Sequence, residues 1–302
     1  MSLLCGNIKP MSLWETISTD IENATGIKAE LNQQGSVSGG CINQAMRVQY
    51  GDVAYFVKLN SASQVDMFEA EAQGLLELKN SNTLRVPEPV CWGENGQQAY
   101  LVMENLQMGG PADPAALGAG LAAMHRVTRD RFGWFRSNTI GATLQVNTET
   151  PDWIDFWREQ RLQFQLELAA SHGHGGRLQS QGERLLDVFA QLFKNHSPQA
   201  SLLHGDLWGG NYGYNREGEP VIFDPAVYYG DREADLAMTE LFGGFSGDFY
   251  SAYEDHFPLD DGYPVRKTLY NLYHILNHLN MFGGGYLSQA QGMLDGLLSE
   301  LG

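Results

Sequence analysis

Residues 204–211 read HGDLWGGN, and residues 221–225 read VIFDP. The first stretch places the carboxylate of Asp206 five positions before the amide of Asn211. Between the two stretches, residues 212–220 combine a strand-like segment with a polar turn, which predicts a β-hairpin. A hairpin would return Asp224 to the neighbourhood of Asn211. The pattern therefore predicts one small volume that holds three oxygen-bearing side chains.

The order H-x-D-x-x-x-x-N is typical of a phosphotransferase catalytic loop. In that chemistry a carboxylate orients the attacking hydroxyl and accepts its proton, so Asp206 is the predicted catalytic base. Asn211 and Asp224 supply amide and carboxylate oxygens, the ligands that Mg²⁺ prefers. We therefore predict ATP as the phosphate donor and Mg²⁺ bound by Asn211 and Asp224. The alternative is that these residues are solvated loop acids and amides.

A lysine inside an apolar strand is the second chemical signal. Lys58 follows Tyr55, Phe56 and Val57, and a buried ammonium group needs a partner. Glu71 lies 13 residues later on a predicted helix, and we prefer it to Glu69 because it lies nearer the apolar face. Such a pair positions the α- and β-phosphates of ATP in kinases. The alternative is a surface lysine on an edge strand.

Two backbone segments are candidates for nucleotide binding. Gly39 and Gly40 lie in a predicted small-residue loop, residues 34–41, where successive N–H groups can bind phosphate. An apolar strand ends at Met103, Glu104, Asn105 and Leu106, whose backbone could hold the edge of adenine. The structural alternatives are an ordinary turn and an ordinary core strand.

Two further side chains carry hypotheses. Trp208 in the catalytic loop offers a flat apolar face on which a sugar acceptor could stack, unless it is simply a core residue. Cys41 would lie among backbone N–H groups, which lower a thiol pKa and raise its reactivity. Oxidation of Cys41 would then obstruct the phosphate site, and the alternative is an inert small residue.

Periodicity along the chain predicts an α+β protein in two parts. Residues 1–106 read as a small nucleotide-binding lobe with an antiparallel sheet and a helix, of which residues 1–10 are candidates for a non-native or disordered end. Residues 107–302 read as a larger, mainly helical catalytic and substrate lobe. The predicted strands are 45–49, 53–59, 90–92 and 98–104. The predicted helices are 12–25, 65–79, 114–127, 152–170, 179–193, 232–241 and 266–281.

Composition excludes several classes of function. The 302 residues include 36 acidic and 19 basic side chains, and the net charge of −17 repels nucleic acids and anionic membranes. Three cysteines cannot build a disulfide framework, which favours a reducing cytoplasm. No apolar run is long enough for a membrane span, and no signal peptide is evident. We expect a cytoplasmic monomer or weak dimer with no nucleic-acid or membrane partner.

Longer stretches carry a family resemblance. Residues 202–211, residues 222–237 and above all the sequence GDREAD at 230–235 closely resemble the fructosamine/ketosamine 3-kinases. These kinases belong to the aminoglycoside phosphotransferase and choline kinase branch of the protein-kinase-like fold. Residues 38–43, 68–72, 121–125 and 269–278 extend the resemblance over most of the chain.

The resemblance implies a two-lobed kinase fold and a specific reaction. ATP would phosphorylate the 3-hydroxyl of a ketosamine, a fructosamine or ribulosamine carried by a free amine or a glycated lysine. The implied biological role is deglycation. The alternatives are another aminoglycoside- or choline-type phosphotransferase, and a nucleotide-binding pseudokinase that acts as a scaffold. The joint presence of Lys58, Asp206, Asn211 and Asp224 argues against the scaffold.

Overall fold

The computed structural model describes residues 11–37 and 42–302, which fall into two compact units. The first unit contains the described residues up to Ala72 together with Pro87–Leu106. The second contains Gln73–Val86 together with Gln107–Gly302. The helix Val65–Asn80 contributes residues to both units. A domain boundary between residues 106 and 107 stays a prediction.

A five-stranded antiparallel sheet is the centre of the first unit. Its strands are β1 (Leu31–Val37), β2 (Gln44–Tyr50), β3 (Val53–Ser61), β4 (Pro89–Glu94) and β5 (Gln98–Glu104). Their order across the sheet is β1-β2-β3-β5-β4. Each of the four predicted strands is present, with ends shifted by at most two residues.

The prediction of a loop over residues 34–37 was wrong. These residues belong to β1, where Gly35 and Ser36 pair with Arg47 and Met46 of β2. The register shifts between Gln33 and Gly35, and the φ of 126° at Gly35 is a conformation that favours glycine. Strand pairing uses backbone groups, so small polar side chains can occupy an edge strand despite a loop-like composition.

Helix α1 (Leu13–Thr25) adds an apolar stripe to the core of the first unit. Leu13, Ile17 and Ile21 recur every fourth residue, share one side of the helix and are buried with the inward-facing residues of the sheet. A reciprocal capping box fixes the start of the helix, because Ser12 accepts from the Glu15 amide and the Glu15 carboxylate accepts from the Ser12 amide. The helix α2 (Val65–Asn80) follows β3 after one short 3₁₀ turn.

The second unit is mainly helical. Its helices are α3 (Pro114–His125), α4 (Trp153–Trp157), α5 (Phe164–Ser171), α6 (Arg177–Val188), α7 (Glu233–Leu241), α8 (Gly247–His256), α9 (Tyr263–Phe282) and α10 (Leu287–Leu301). Its strands are β6 (Thr128–Arg129), β7 (Asn138–Ile140), β8 (Thr143–Gln145), β9 (Ala200–Leu203), β10 (Tyr212–Tyr214), β11 (Pro220–Ile222) and β12 (Tyr228–Gly230). They form small antiparallel sheets with the orders β12-β9-β6, β10-β11 and β7-β8.

The helix predicted over residues 152–170 is divided in the structure. A π-helical segment at residues 158–163 separates α4 from α5, so the side chains on either side of it do not continue one 3.6-residue stripe. Helices α8 and α10 were not predicted. Within the described residues, no helix combines the length and the apolar character needed to cross a membrane.

Candidate active site

The predicted catalytic loop, residues 204–211, connects strand β9 to strand β10. The β10–β11 hairpin pairs Tyr212 with Ile222, and the Phe223 amide continues the ladder by donating to the Asn211 carbonyl over 3.0 Å. This pairing returns the chain to its starting point, so Asp224 comes next to Asn211. The structure thus brings Asp206, Asn211 and Asp224 together at the end of a hairpin.

The side chain of Asn211 connects the two acidic residues. Its Nδ2 donates to the backbone carbonyl of Asp206 over 2.9 Å and to Oδ2 of the same residue over 3.2 Å. The same nitrogen is 3.5 Å from the carbonyl of Asp224. With the nitrogen directed to these oxygens, Oδ1 is the atom that the buried Asn211 amide can offer to a cation.

The electrostatics of this cluster favour a bound cation. Burial, and after it the nearby charge of Asp224, raise the pKa of the Asp206 carboxyl, the hydrogen bond from Asn211 partly opposes both, and the net result is a pKa of about 7. Two neighbouring carboxylates and an amide oxygen form a hard, oxygen-only donor set. These residues therefore fit Mg²⁺, whose charge would relieve the repulsion between the carboxylates.

The side chain of His204 connects the catalytic loop to the segment that carries Asp224 through two hydrogen bonds. Its Nε2 donates to the carbonyl of Phe223 over 2.9 Å, and its Nδ1 accepts from the amide of Asp206 over 3.3 Å. Burial lowers the pKa of His204, which keeps the ring neutral with its single proton on Nε2. His204 therefore acts as a structural bridge between the two acidic residues of the site.

Asp235 of α7 anchors the start of the loop. Its two carboxylate oxygens accept the amides of His204 and Gly205 over 2.7 and 2.8 Å. Oδ2 also lies 3.2 Å from Nε2 of His125, the last residue of α3, whose Nδ1 is 2.8 Å from the hydroxyl of Tyr253. This anchor was not predicted from the sequence, although both Asp235 and His125 lie in the segments that carry the family resemblance.

Gly205 allows the loop and the Asp224 segment to approach each other closely. Its φ is 83°, and a Cβ atom added there would lie 2.1 Å from the carbonyl oxygen of Ala226. The Ala226 amide in turn donates to the His204 carbonyl over 2.8 Å. Only glycine suits this position, both in its backbone conformation and in the space available.

The first unit contains the predicted ion pair. Nζ of Lys58, on β3, lies 2.5 Å from Oε1 of Glu71, on α2. The two side chains are 7% and 12% exposed, so the charges compensate each other in a largely buried setting. The structure brings these two residues together, and their role in binding phosphates stays a prediction.

The remaining nucleotide-binding candidates differ in what the structure describes. Met103 is buried at the end of β5, and the amide of Glu104 donates to the carbonyl of Glu88 over 2.8 Å. Asn105 and Leu106, which follow the strand, are partly exposed. Gly39, Gly40 and Cys41 lie outside the described residues. The roles predicted for all of these residues stay predictions.

Trp208 is exposed rather than buried in the core. The residue is 40% exposed, and the centre of its ring lies 6.4 Å from that of Phe242. The ring of His278 lies 4.9 Å from that of Phe242 on the same basis. Phe282 and Tyr286 extend the contact from His278 at 5.5 and 5.2 Å. We call these five residues the aromatic patch. Because Trp208 belongs to the catalytic loop, the patch begins beside Asp206 and Asn211.

Comparisons with known proteins place the chain in a family. The model of the family described as fructosamine kinase matches residues 13–300. The chain is 49% identical to the "Probable ketoamine kinase slr1563" of Synechocystis over 284 residues, which cover 93% of this chain and 95% of the relative. The chain belongs to the fructosamine kinase family.

A second similar protein and a similar crystal structure agree with this assignment. The chloroplastic protein-ribulosamine 3-kinase of Arabidopsis thaliana is 43% identical, with 91% of this chain and 86% of that protein covered. The crystal structure of a candidate fructosamine-3-kinase from Haemophilus somnus is 27% identical, has a TM-score of 0.87, and covers 94% of this chain and 97% of its own. The predicted family, the α+β two-lobed kinase-like fold and the kinase class are confirmed.

Proposed function

We propose that this fructosamine kinase family member transfers the γ-phosphoryl group of ATP to the 3-hydroxyl of ketosamines. The observation that carries the proposal is the cluster of Asp206, Asn211 and Asp224, placed by one hairpin in a chain that belongs to this family. Protein-ribulosamine 3-kinase and ketoamine kinase are the names of its relatives, which supports a ketosamine acceptor.

Asp206 is the proposed catalytic base. Burial and the charge of Asp224 raise its pKa above that of an ordinary aspartate, which increases the affinity of the carboxylate for the proton of a hydroxyl that it orients. The hydrogen bond from Asn211 to Oδ2 fixes the orientation of the carboxylate. The proton that leaves the sugar hydroxyl would therefore be transferred to Asp206 while the oxygen attacks the phosphoryl group.

Asn211 and Asp224 would hold Mg²⁺. When bound, the cation supplies positive charge that neutralises the phosphates of ATP. Lys58, kept in place by Glu71, would contribute a second positive charge to the same nucleotide, and the backbone of residues 103–106 would hold adenine. Gly39 and Gly40 remain the proposed phosphate loop.

The aromatic patch is the proposed acceptor surface. Trp208 and Phe242 are 40% and 37% exposed, and flat apolar rings suit the C–H faces of a sugar. Glycine at position 210 leaves room for this orientation of the ring, because a Cβ there would lie 2.3 Å from the Trp208 indole and would force the ring to move. A sugar stacked on Trp208 would have its hydroxyls next to the catalytic loop.

A substrate panel tests the proposal. Purified protein is incubated with ATP and Mg²⁺ and with fructosyl-lysine, ribulosyl-lysine, glycated protein, choline or an aminoglycoside, and products are identified by mass spectrometry. We expect phosphorylation of at least one ketosamine, and a loss of about 10²–10⁴-fold in turnover for Asp206→Asn. Phosphorylation of an aminoglycoside or choline alone, or equal turnover in Asp206→Asn, would contradict the proposal.

We also propose a cellular compartment and an oligomeric state for this kinase. The cysteine content favours a cytoplasmic enzyme, although the Arabidopsis relative is named chloroplastic. We also propose a monomer or weak dimer that binds neither nucleic acid nor membrane, as the acidic composition favours. Deglycation of amines or proteins would be the biological result of the reaction.

A further inference from the structure

A buried polar network lies next to the segment that carries Asp224, residues 223–227, which we call the metal segment. The network consists of side chains that are between 0% and 6% exposed, namely Asn138, Gln145, Asn147, Arg161 and Tyr273. Buried polar groups need hydrogen-bond partners, and a network of this size in a core requires its members to be satisfied together. Two hydrogen bonds of the network, donated by Asn138 and Gln145, end on carbonyl groups of the metal segment.

Two amide side chains hold the carbonyl groups of that segment. Nε2 of Gln145 donates to the carbonyl of Ala226 over 3.0 Å, and Nδ2 of Asn138 donates to the carbonyl of Val227 over 2.8 Å. These carbonyls lie two and three residues beyond Asp224. The bonds therefore fix the backbone on the carboxyl-terminal side of a proposed metal ligand.

The orientation of both amides is determined by their other contacts. Oε1 of Gln145 accepts from the hydroxyl of Tyr273 over 2.8 Å, and Nε2 of Gln145 donates to Oδ1 of Asn138 over 2.8 Å. A rotated Gln145 amide would direct its oxygen at the Ala226 carbonyl and at Oδ1 of Asn138, and would lose both of the bonds that Nε2 donates. The network thus presents donors, and not acceptors, to the metal segment.

Arg161 is connected to Asn138 through Asn147 and is the charged member of the network. Its guanidinium donates to the Val146 carbonyl over 2.6 Å and to Oδ1 of Asn147 over 2.7 Å, and Asn147 donates to Oδ1 of Asn138 over 2.9 Å. The charge lies over the ring of Tyr228 at 4.3 Å. Burying a guanidinium group is costly, and these two acceptors and the Tyr228 ring offset only part of that cost, because Nε of Arg161 has no hydrogen-bond partner among the described residues.

The metal segment is also held from the opposite side. The amides of Phe223 and Ala226 donate to the carbonyls of Asn211 and His204 in the catalytic loop. Between these contacts Asp224 adopts a φ of 57°, a left-handed conformation that is uncommon for a residue other than glycine. The segment is therefore fixed by the catalytic loop on one side and by Asn138 and Gln145 on the other.

We propose that Asn138 and Gln145 are positioning residues that hold the carboxylate of Asp224 in its metal-binding place through the carbonyls of Val227 and Ala226. The inference rests on the proposed function, because it assumes that Asp224 binds the cation of the nucleotide complex. It adds residues from β7 and β8 to the site, neither of which bears a group for the chemistry itself.

The test measures cation affinity directly. The dissociation constant of Mn²⁺ is determined by electron paramagnetic resonance in the presence of a non-hydrolysable ATP analogue, alongside the Mg²⁺ dependence of kcat. Gln145→Glu keeps the size of the side chain and the acceptor for Tyr273, but directs an oxygen instead of an N–H group at Ala226. We expect Mn²⁺ to bind about 10–100-fold more weakly, while the KM of the ketosamine changes less than about twofold.

Gln181→Glu is the matched control. Gln181 is also buried, at 8% exposure, and its Nε2 donates to the carboxylate of Asp295, away from the metal segment. The same chemical change there should lower the melting temperature and leave Mn²⁺ affinity within about twofold of the parent value. Equal Mn²⁺ affinity in the Gln145→Glu, Gln181→Glu and parent proteins would overturn the inference.

A milder variant covers the case in which Gln145→Glu does not fold. Tyr273→Phe removes only the hydroxyl of Tyr273, which bonds to Gln145 and also to Gln165, and the loss of its hydrogen bond to Gln145 should weaken Mn²⁺ binding about two- to tenfold. Unchanged affinity in Tyr273→Phe would then reject the positioning role. Parent protein that binds no Mn²⁺ with the analogue, or Asp224→Ala that binds it normally, would instead refute the proposed function and with it the inference.

Discussion

Asparagine in place of Asp235 tests how much the site depends on its anchor. The carboxylate accepts the amides of His204 and Gly205 on separate oxygens and is only 2% exposed. Burial raises the pKa of Asp235, but the hydrogen bonds and charges around it, first that of His125, outweigh burial and lower it. Asp235 is therefore ionised at neutral pH, and Asp235→Asn removes a charge as well as one acceptor.

The size of the effect follows from the bonds that are lost. Asparagine has one carbonyl oxygen, so its NH₂ group would face one of the two backbone amides and leave it without an acceptor. An unsatisfied buried donor costs about 1–3 kcal/mol, and the remaining bonds lose their charge assistance, about 1 kcal/mol more. We expect the free energy of unfolding to fall by about 3 kcal/mol. Because the loop loses its anchor, kcat should fall about 100-fold.

Urea unfolding followed by tryptophan fluorescence and steady-state kinetics with a ketosamine measure both effects. Asp155→Asn is the control, since Asp155 is 59% exposed and pairs with Arg158 at the surface, where such a pair contributes less than about 1 kcal/mol. An Asp235→Asn protein within about 1 kcal/mol of the parent in stability and with unchanged kcat would refute the anchoring role.

Three further predictions concern neighbouring features. Gly205→Ala would force a Cβ against the Ala226 carbonyl, so the melting temperature should drop and kcat should fall at least about 100-fold; normal kcat would contradict the close approach. Trp208→Ala should raise the acceptor KM about tenfold and leave the ATP KM unchanged, and an unaltered acceptor KM would remove the stacking role. Burial lowers the pKa of His196, but the hydrogen bond and charge of Asp231, with the charge of Glu233, outweigh it and leave the pKa raised. The stability contributed by protonated His196 is then fully present below about pH 6.5 and is lost as the pH rises through the folded pKa. The gap in melting temperature between the parent and His196→Ala should therefore be larger at about pH 6 than at about pH 9, and a gap independent of pH would argue against this titration.

Local patterns in the sequence were enough to predict two contacts, that of Lys58 with Glu71 and the approach of Asp224 to Asn211. A lysine in an apolar strand and a glutamate on the following helix predicted the contact of Lys58 with Glu71, because both elements are short and consecutive. Two strand-like segments around a turn predicted that Asp224 returns to Asn211. In each case the two residues are fewer than 15 positions apart, so few alternative folds had to be considered.

The groups that support the site could not be predicted in this way. Asp235 and His125 are 110 residues apart, and their contact depends on how α3 and α7 pack. Asn138 and Gln145 lie in a region with no periodic pattern of its own, so neither strand β7 nor strand β8 was predicted there. Asparagine and glutamine are usually exposed, so the sequence alone does not show which of these side chains are buried.

The backbone of Asp224 has a consequence for any laboratory selection of heat-resistant forms of this enzyme. A left-handed φ of 57° costs a non-glycine residue about 1–2 kcal/mol, and glycine would avoid that cost against a smaller entropic cost of about 0.4–1 kcal/mol in the unfolded chain. Selection on survival at high temperature alone would therefore favour Asp224→Gly and enrich clones that lack the proposed metal ligand. Libraries that keep this codon constant would avoid exchanging turnover for thermal tolerance.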